Sequence, residues 1–143
     1  MIINWYPGHM DKALRMMETE LDLIDVAVYV LDARAPFSCV NPCFETLLKN
    51  KPIVFVLNKA DLVQEKDLAK WQKYFTGDNK ICITLNSTES NSSKKLLEAI
   101  KNLHIKKLVK NEKRGVTIPL RMMILGVPNC GKSTLINNLC GKG

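Results

Sequence analysis

The sequence predicts an α/β fold of three layers around a parallel sheet. Three observations carry that prediction. Short apolar runs recur along the chain, helical patterns of crossover length separate them, and a glycine-bearing loop follows the last run.

The apolar runs are Val26–Leu31 (VAVYVL), Ile53–Leu57 (IVFVL), Ile81–Leu85 (ICITL) and Met122–Leu125 (MMIL). Each is continuous rather than alternating, and most are rich in β-branched residues. Strands covered on both faces read this way. Parallel neighbours need long crossovers, usually helices. Residues 11–24 put Leu14, Met17, Leu21 and Ile24 on one face. Pro42–Lys49 suits a short helix with Asn41 as its cap and Phe44, Leu47 and Leu48 on its apolar side. Residues 66–75 bring Leu68, Trp71 and Phe75 together. The longest helix is predicted over 92–110, with Leu96, Leu97, Ile100, Leu103 and Leu108 inward. The polar segment KNEKRGVTIP, 110–119, reads as a linker into the last strand. Strands alternating with helices then form one domain, 1–143.

Composition agrees with a packed domain. The chain has 143 residues, 46% of them hydrophobic and 24% charged, within the range of globular proteins. A formal charge of +7 points to a polyanionic partner: nucleic acid, an acidic membrane surface or a nucleotide. Charge alone does not choose among them. The five cysteines, Cys39, Cys43, Cys82, Cys130 and Cys140, form no C-x-x-C pair, and His9 and His104 lie far apart. That pattern argues against a zinc site or disulfide framework and suits a reducing, cytosolic compartment. No apolar stretch reaches the roughly 18 residues of a membrane span. The start carries no signal-peptide pattern, and with a motif so close to Met1 no transit peptide is expected.

Residues 126–134, GVPNCGKST, match G-x-x-x-x-G-K-[ST], the phosphate-binding loop of nucleotide hydrolases. An apolar strand precedes the loop and a helical run, LINNLC, follows. Glycine lets backbone N–H groups approach phosphate oxygens, and a helix N-terminus favours negative charge. Lys132 is placed to reach the β- and γ-phosphates, and the Ser133 hydroxyl to ligate Mg²⁺. The second apolar run ends in NKAD. This matches N-K-x-D, a reader of guanine. Asp61 can accept bonds from N1–H and the 2-amino group, Asn58 can bond the base edge, and the Lys59 stem can lie over the ring. A mismatched base would leave a buried carboxylate unpaired. The third run ends in Leu85-Asn86-Ser87, a turn able to offer backbone N–H groups to the guanine 6-oxo group; an ordinary turn is the alternative.

The base-reading loops precede the phosphate loop, the reverse of the usual GTPase order. Circular permutation leaves a site intact when the original termini are close and a linker joins them. Residues 110–119 fit that linker.

With these motifs in this order, the sequence resembles the circularly permuted GTPases of the ribosome biogenesis GTPase A (YlqF) type. INWYPGHMDKA (3–13) and LDARAPFSCVNP (31–42) resemble that family's first segments, and NKAD, LNS and GVPNCGKSTLIN follow in its order. The resemblance implies a circularly permuted P-loop NTPase fold that binds GTP and GDP, hydrolyses GTP and assists assembly of the large ribosomal subunit, touching rRNA. It implies a monomer without membrane attachment, cytoplasmic, or mitochondrial as some relatives are.

Site residues carried over are Asn58, Lys59, Asp61, Asn86, Ser87, Pro128, Asn129, Cys130, Gly131, Lys132, Ser133 and Thr134 for the nucleotide, Ser133 for Mg²⁺ and Asn129 for K⁺, a turn-favouring Asn being the alternative for Asn129. His9, within PGHM, is expected to approach the γ-phosphate and orient water; a surface or capping histidine is the alternative. Asp32 and Arg34 are expected to fix loop geometry. Lys94, Lys95, Lys101, Lys106, Lys107 and Lys110 form either a solvated face or an rRNA contact.

The family's switch threonine, D-x-P-G segment and helical RNA-binding domain are absent from these residues. The chain is therefore expected to correspond to the first half of a member. By itself it should be inactive, with MMIL as an exposed apolar sheet edge. A guanine-nucleotide or RNA-binding module that hydrolyses nothing is the alternative function. A metabolic P-loop kinase would leave NKAD without a role.

Overall fold

The computed structural model describes residues 2–5, 15, 18–40, 46–48, 50–86, 91–103, 105, 113–115, 119–126 and 132–140. Strands β1 (Ile2–Trp5), β2 (Val26–Asp32), β3 (Ile53–Asn58), β4 (Lys80–Thr84) and β5 (Arg121–Gly126) form one sheet in the order β1-β5-β2-β3-β4. Every pairing is parallel. Helices α1 (Glu65–Phe75), α2 (Ser92–Asn102) and α3 (Lys132–Cys140) cover its faces.

The continuous apolar runs are explained by this cover. In β2 no residue from Val26 to Leu31 is more than 2% exposed. Ala27, Tyr29 and Leu31 face one core with Phe55, Leu57 and Phe75, against which Leu68 and Trp71 of α1 pack. Val26, Val28 and Val30 face the other with Leu96 and Ile100 of α2 and Leu135 and Ile136 of α3. The first core is aromatic: Tyr29 stacks on Phe55 at 5.9 Å, and Phe55 meets Phe75 at 4.9 Å between ring centroids. Such pairs add to the area they bury. These are the three layers the sequence predicts.

The N-terminal edges of the central strands are also tied. Arg121 donates its N–H to the Asp25 carboxylate at 2.8 Å, while the Asp25 N–H donates to the Arg121 carbonyl at 2.9 Å. The Lys51 ammonium donates to the Ile24 carbonyl at 3.0 Å. The registers of β5 and β3 on β2 are therefore held at their starts as well as along the ladder.

Two expectations are corrected. First, Met122–Leu125 is not an exposed edge. Ile3, Asn4 and Trp5 of β1 pair with Met122, Met123 and Ile124, so β5 lies inside the sheet. A four-residue run with Asn4 at its centre carries no period of its own. The open backbone groups of β5 supply the partner that makes it a strand. Second, α2 ends at Asn102 rather than 110. The Leu103 N–H donates to the carbonyls of Ile100 and Lys101, which tightens the last turn. Leu103 and the buried Ile105 then pack on the second core. Leu108 and the lysines at 106, 107 and 110 lie outside the described residues.

Elsewhere the predicted elements agree where they are described, except that Leu97, expected inward on α2, is 40% exposed, because the buried face of the helix runs through Leu96, Ala99 and Ile100. Residues 18–20 are helical and run into the 3-10 turn Leu21–Leu23. Of the helix expected over Pro42–Lys49, residues 46–47 are helical, and 41–45 and 49 lie outside the description. Within the linker, residues 113–115 are exposed and Gly115 has φ of +63°, a conformation most other residues adopt only under strain.

Core truncation measures how far the sheet supports the fold. Leu57→Ala, at a fully buried position, is expected to lower unfolding free energy by about 2–5 kcal/mol. Leu23→Ala, at a position 55% exposed, should change it by no more than about 0.5 kcal/mol. Urea denaturation of the two variants checks both.

Candidate nucleotide site

The sheet order sets where a ligand can sit. The chain runs outward from β2 through β3 to β4, then returns to β5 on the other side of β2. Strand order reverses between β5 and β2, and ligands of open α/β sheets bind beyond the carboxyl ends at such a point. β2 and β3 end level, Asp32 pairing with Asn58, while β5 ends two residues earlier, where Gly126 pairs with Val30.

Beyond β3 the loop NKAD is held from both sides. The Ala33 N–H, just past β2, donates to the Asn58 carbonyl at 2.8 Å. The Ala60 N–H donates to the Leu85 carbonyl, just past β4, at 3.2 Å. Asn58 is 2% exposed, and among the described residues no buried side-chain polar atom lacks a partner. Lys59 adopts the left-handed conformation, φ 60° and ψ 35°, and caps the 3-10 turn Ala60–Leu62. That conformation costs a non-glycine residue about 1–2 kcal/mol, so flanking contacts must hold it. The turn leaves Asp61 exposed to solvent. Asn86 is half-buried beside this loop, and Ser87 lies outside the described residues.

At the other end of the site, β5 finishes at Gly126 and α3 opens at Lys132. Pro128, Asn129, Cys130 and Gly131 lie outside the described residues, as does His9. Ser133 and Thr134 are exposed in the first turn of α3, while Leu135 and Ile136 anchor it in the second core. The Asn138 amide donates to the buried Ser92 hydroxyl at 3.1 Å, joining α3 to α2.

Between the two loops, at the end of β2, stands an ionic cluster. One oxygen of Asp32 accepts the Arg34 backbone N–H and Nε, each at 3.0 Å. The other accepts Arg34 Nη2 at 2.7 Å and Lys59 Nζ at 3.3 Å. The Arg34 guanidinium, before burial and the other donors, governs the Asp32 carboxyl and holds it well below the usual carboxylate range. Sequence reasoning placed Asp32 and Arg34 as loop-fixing residues but missed their tie to Lys59. The available signal was that Asp32 and Lys59 close two neighbouring strands.

A family model described as "50S ribosome-binding GTPase" matches residues 121–143. The chain is 41% identical to "Ribosome biogenesis GTPase A" of Bacillus licheniformis, over 99% of this chain and 50% of that protein. The solved structure described as "Crystal structure of GNP-bound YlqF from T. maritima" superposes with a TM-score of 0.59 at 33% identity, covering 92% of this chain and 48% of that one. Over nearly all of its length the chain is similar to members of the ribosome biogenesis GTPase A family. The likeness extends to "Mitochondrial ribosome-associated GTPase 1" of Mus musculus, 36% identical over 96% of this chain and 42% of that protein. The chain spans about half the length of the curated relatives it matches.

The Asp32 cluster has a pH signature. A carboxyl with a depressed folded pKa adds stability that is complete above its unfolded value of about 4 and fades as pH falls below it. The stability gap between the protein and its Asp32→Asn variant is therefore expected to be constant above about pH 5 and to narrow below about pH 4. Denaturant titrations across that range check it; a gap that widens on acidification contradicts the assignment.

Proposed function

We propose that the carboxyl edge of this sheet binds GTP and GDP, and that the intact protein hydrolyses GTP in assembling the large ribosomal subunit. One observation carries the reading. The NKAD loop stands clamped at the end of β3, level with the end of β2, and β5 ends on the other side of β2, opposite Val30. Two strand spacings, about 10 Å, separate the base-reading loop from the phosphate loop. That distance suits a nucleotide lying across the end of β2, with its base at Asn58 and Asp61 and its phosphates toward Lys132 and Thr134. Asn86 and Ser87 supply the turn on the far side of the base, and residues 128–131 the phosphate cradle.

A magnesium ion fits this reading. Ser133 offers an exposed hydroxyl at the start of α3. The ion favours hard oxygen ligands and keeps several waters, so one hydroxyl with phosphate oxygens suffices. When bound, it would neutralise charge on the phosphates. Asn129 is the proposed support for K⁺, and His9 the proposed group orienting water; both roles derive from the family resemblance. Relatives named for ribosome biogenesis and for mitochondrial ribosomes support a compartment that contains ribosomes, the cytoplasm first.

Base choice tests the site. Asp61→Asn is expected to weaken GDP binding by about 10- to 100-fold, the cost of removing charge-assisted hydrogen bonds. The same variant should improve binding of xanthosine diphosphate, whose 2-oxo group an amide N–H satisfies. Competition titrations decide, and an unchanged preference for GDP contradicts the role of Asp61. GTP turnover by the intact protein separates a GTPase from a module that only binds; residues 1–143 alone are expected to give none.

The ribosomal partner has its own test. Lys94, Lys95 and Lys101 are exposed on α2 while Leu96, Ala99 and Ile100 are buried. If the lysines meet rRNA phosphates, affinity for the large subunit falls steeply with salt. Replacing all three with Gln should flatten the slope of log K against log salt by roughly one for each phosphate no longer neutralised. An unchanged slope returns this face to solvent.

A further inference from the structure

We infer that Asp32 is a positioning residue for base recognition: it holds the Lys59 ammonium at the end of β2, so that the Lys59 stem bridges the ends of β3 and β2. This role presupposes the guanine site proposed above and adds a residue to it.

The geometry supports the inference in three steps. Lys59 follows directly on β3, yet its Nζ lies 3.3 Å from the Asp32 carboxylate on the neighbouring strand. Its aliphatic stem therefore crosses from one strand end to the next. β2 is the strand that separates β3 from β5, so a nucleotide reaching from the NKAD loop to the phosphate loop must pass over this end.

The carboxylate is itself fixed. Arg34 grips both oxygens, and its own backbone N–H adds a third bond. The Arg34 side chain is 54% exposed against 15% for Asp32. The guanidinium thus sits on the solvent side of Asp32 and leaves Lys59 the other approach. Arg34 orients the carboxylate, and the carboxylate orients Lys59.

The backbone of Lys59 is locked too. Its left-handed conformation is enforced by the bonds that Asn58 and Ala60 make to the neighbouring loops. An unrestrained lysine loses more rotamer freedom on ordering than most side chains. With backbone and ammonium both held, that loss occurs on folding and not on binding. The ring of a base then meets an ordered hydrocarbon surface. Preorganisation of this kind raises affinity with no additional interaction.

A double-mutant cycle on GDP affinity tests the role, using Asp32→Asn, Lys59→Met and the two combined. Methionine keeps a similar stem and removes the ammonium. Each single change is expected to weaken GDP binding by about 3- to 10-fold, the scale of one side chain left to be ordered on binding. The double variant should be no more than about 2-fold weaker than Lys59→Met alone, the signature of residues acting as one unit. A loss for Asp32→Asn that is as large with methionine at 59 as with lysine overturns the inference. If Asp32→Asn does not fold, Asp32→Ser takes its place in the cycle. Lys59→Met also decides alone in one direction, because unchanged GDP affinity there overturns the role. The site itself is judged separately. An unaltered protein that binds ADP as well as GDP overturns the guanine reading, whereas additive losses in a GDP-selective protein overturn only the role of Asp32.

Discussion

The constraint on which this molecule depends is the central strand β2, paired on both edges and covered on both faces. Its N–H and carbonyl groups are satisfied by β5 on one side and β3 on the other. Its side chains alternate between an aromatic core under α1 and an aliphatic core under α2 and α3. A parallel strand enclosed in this way has no freedom to slip, because a shift of one residue would exchange its two faces. The levels at which β5 and β3 end are consequences of that register. The strand ends that precede the two motif loops lie on one edge because β2 has already set it.

Motif order along the chain becomes unimportant once the ladder is formed. The loop that begins at Gly126 comes late in the sequence, yet β5 inserts between β1 and β2. Its end stands beside β2, whose other neighbour presents NKAD. Connections that return across the faces of the sheet carry no information about the ligand. They have only to cover apolar area and satisfy their own ends, as the Asn138–Ser92 bond does between α3 and α2. A permuted chain can therefore assemble the same edge.

Charge is distributed unevenly over this frame. The protein carries an excess of seven positive charges, but at the end of β2 two cations share one carboxylate. The lysines described on α2 are displayed to solvent. Those at the sheet edge are not interchangeable with them, since Lys59 is held by a partner 27 residues away in sequence. Its pairing limits where the ammonium can go and commits the stem to the strand ends.

Much of this was legible in the amino-acid sequence. Continuous apolar runs announced strands covered on both faces, because only residues hidden from water on either side dispense with alternation. NKAD and GVPNCGKST were legible because their chemistry is local: a carboxylate, a lysine and glycines at set spacing. Three features were not. The strand Ile2–Trp5 has no period to detect and exists through its ladder with β5. The end of α2 at Asn102 follows from Leu103 and Ile105 turning into a core that lies far away in sequence. The link from Asp32 to Lys59 joins residues whose proximity arises only when β2 and β3 align in register. The sequence by itself marked four of the five described strands and the motifs that suggest nucleotide chemistry, since both are written in neighbouring side chains. Tertiary structure alone decided which strand covers β5, where the last turn of α2 stops and which carboxylate holds Lys59. Each of these depends on pairing between distant segments, and one-dimensional spacing does not encode it.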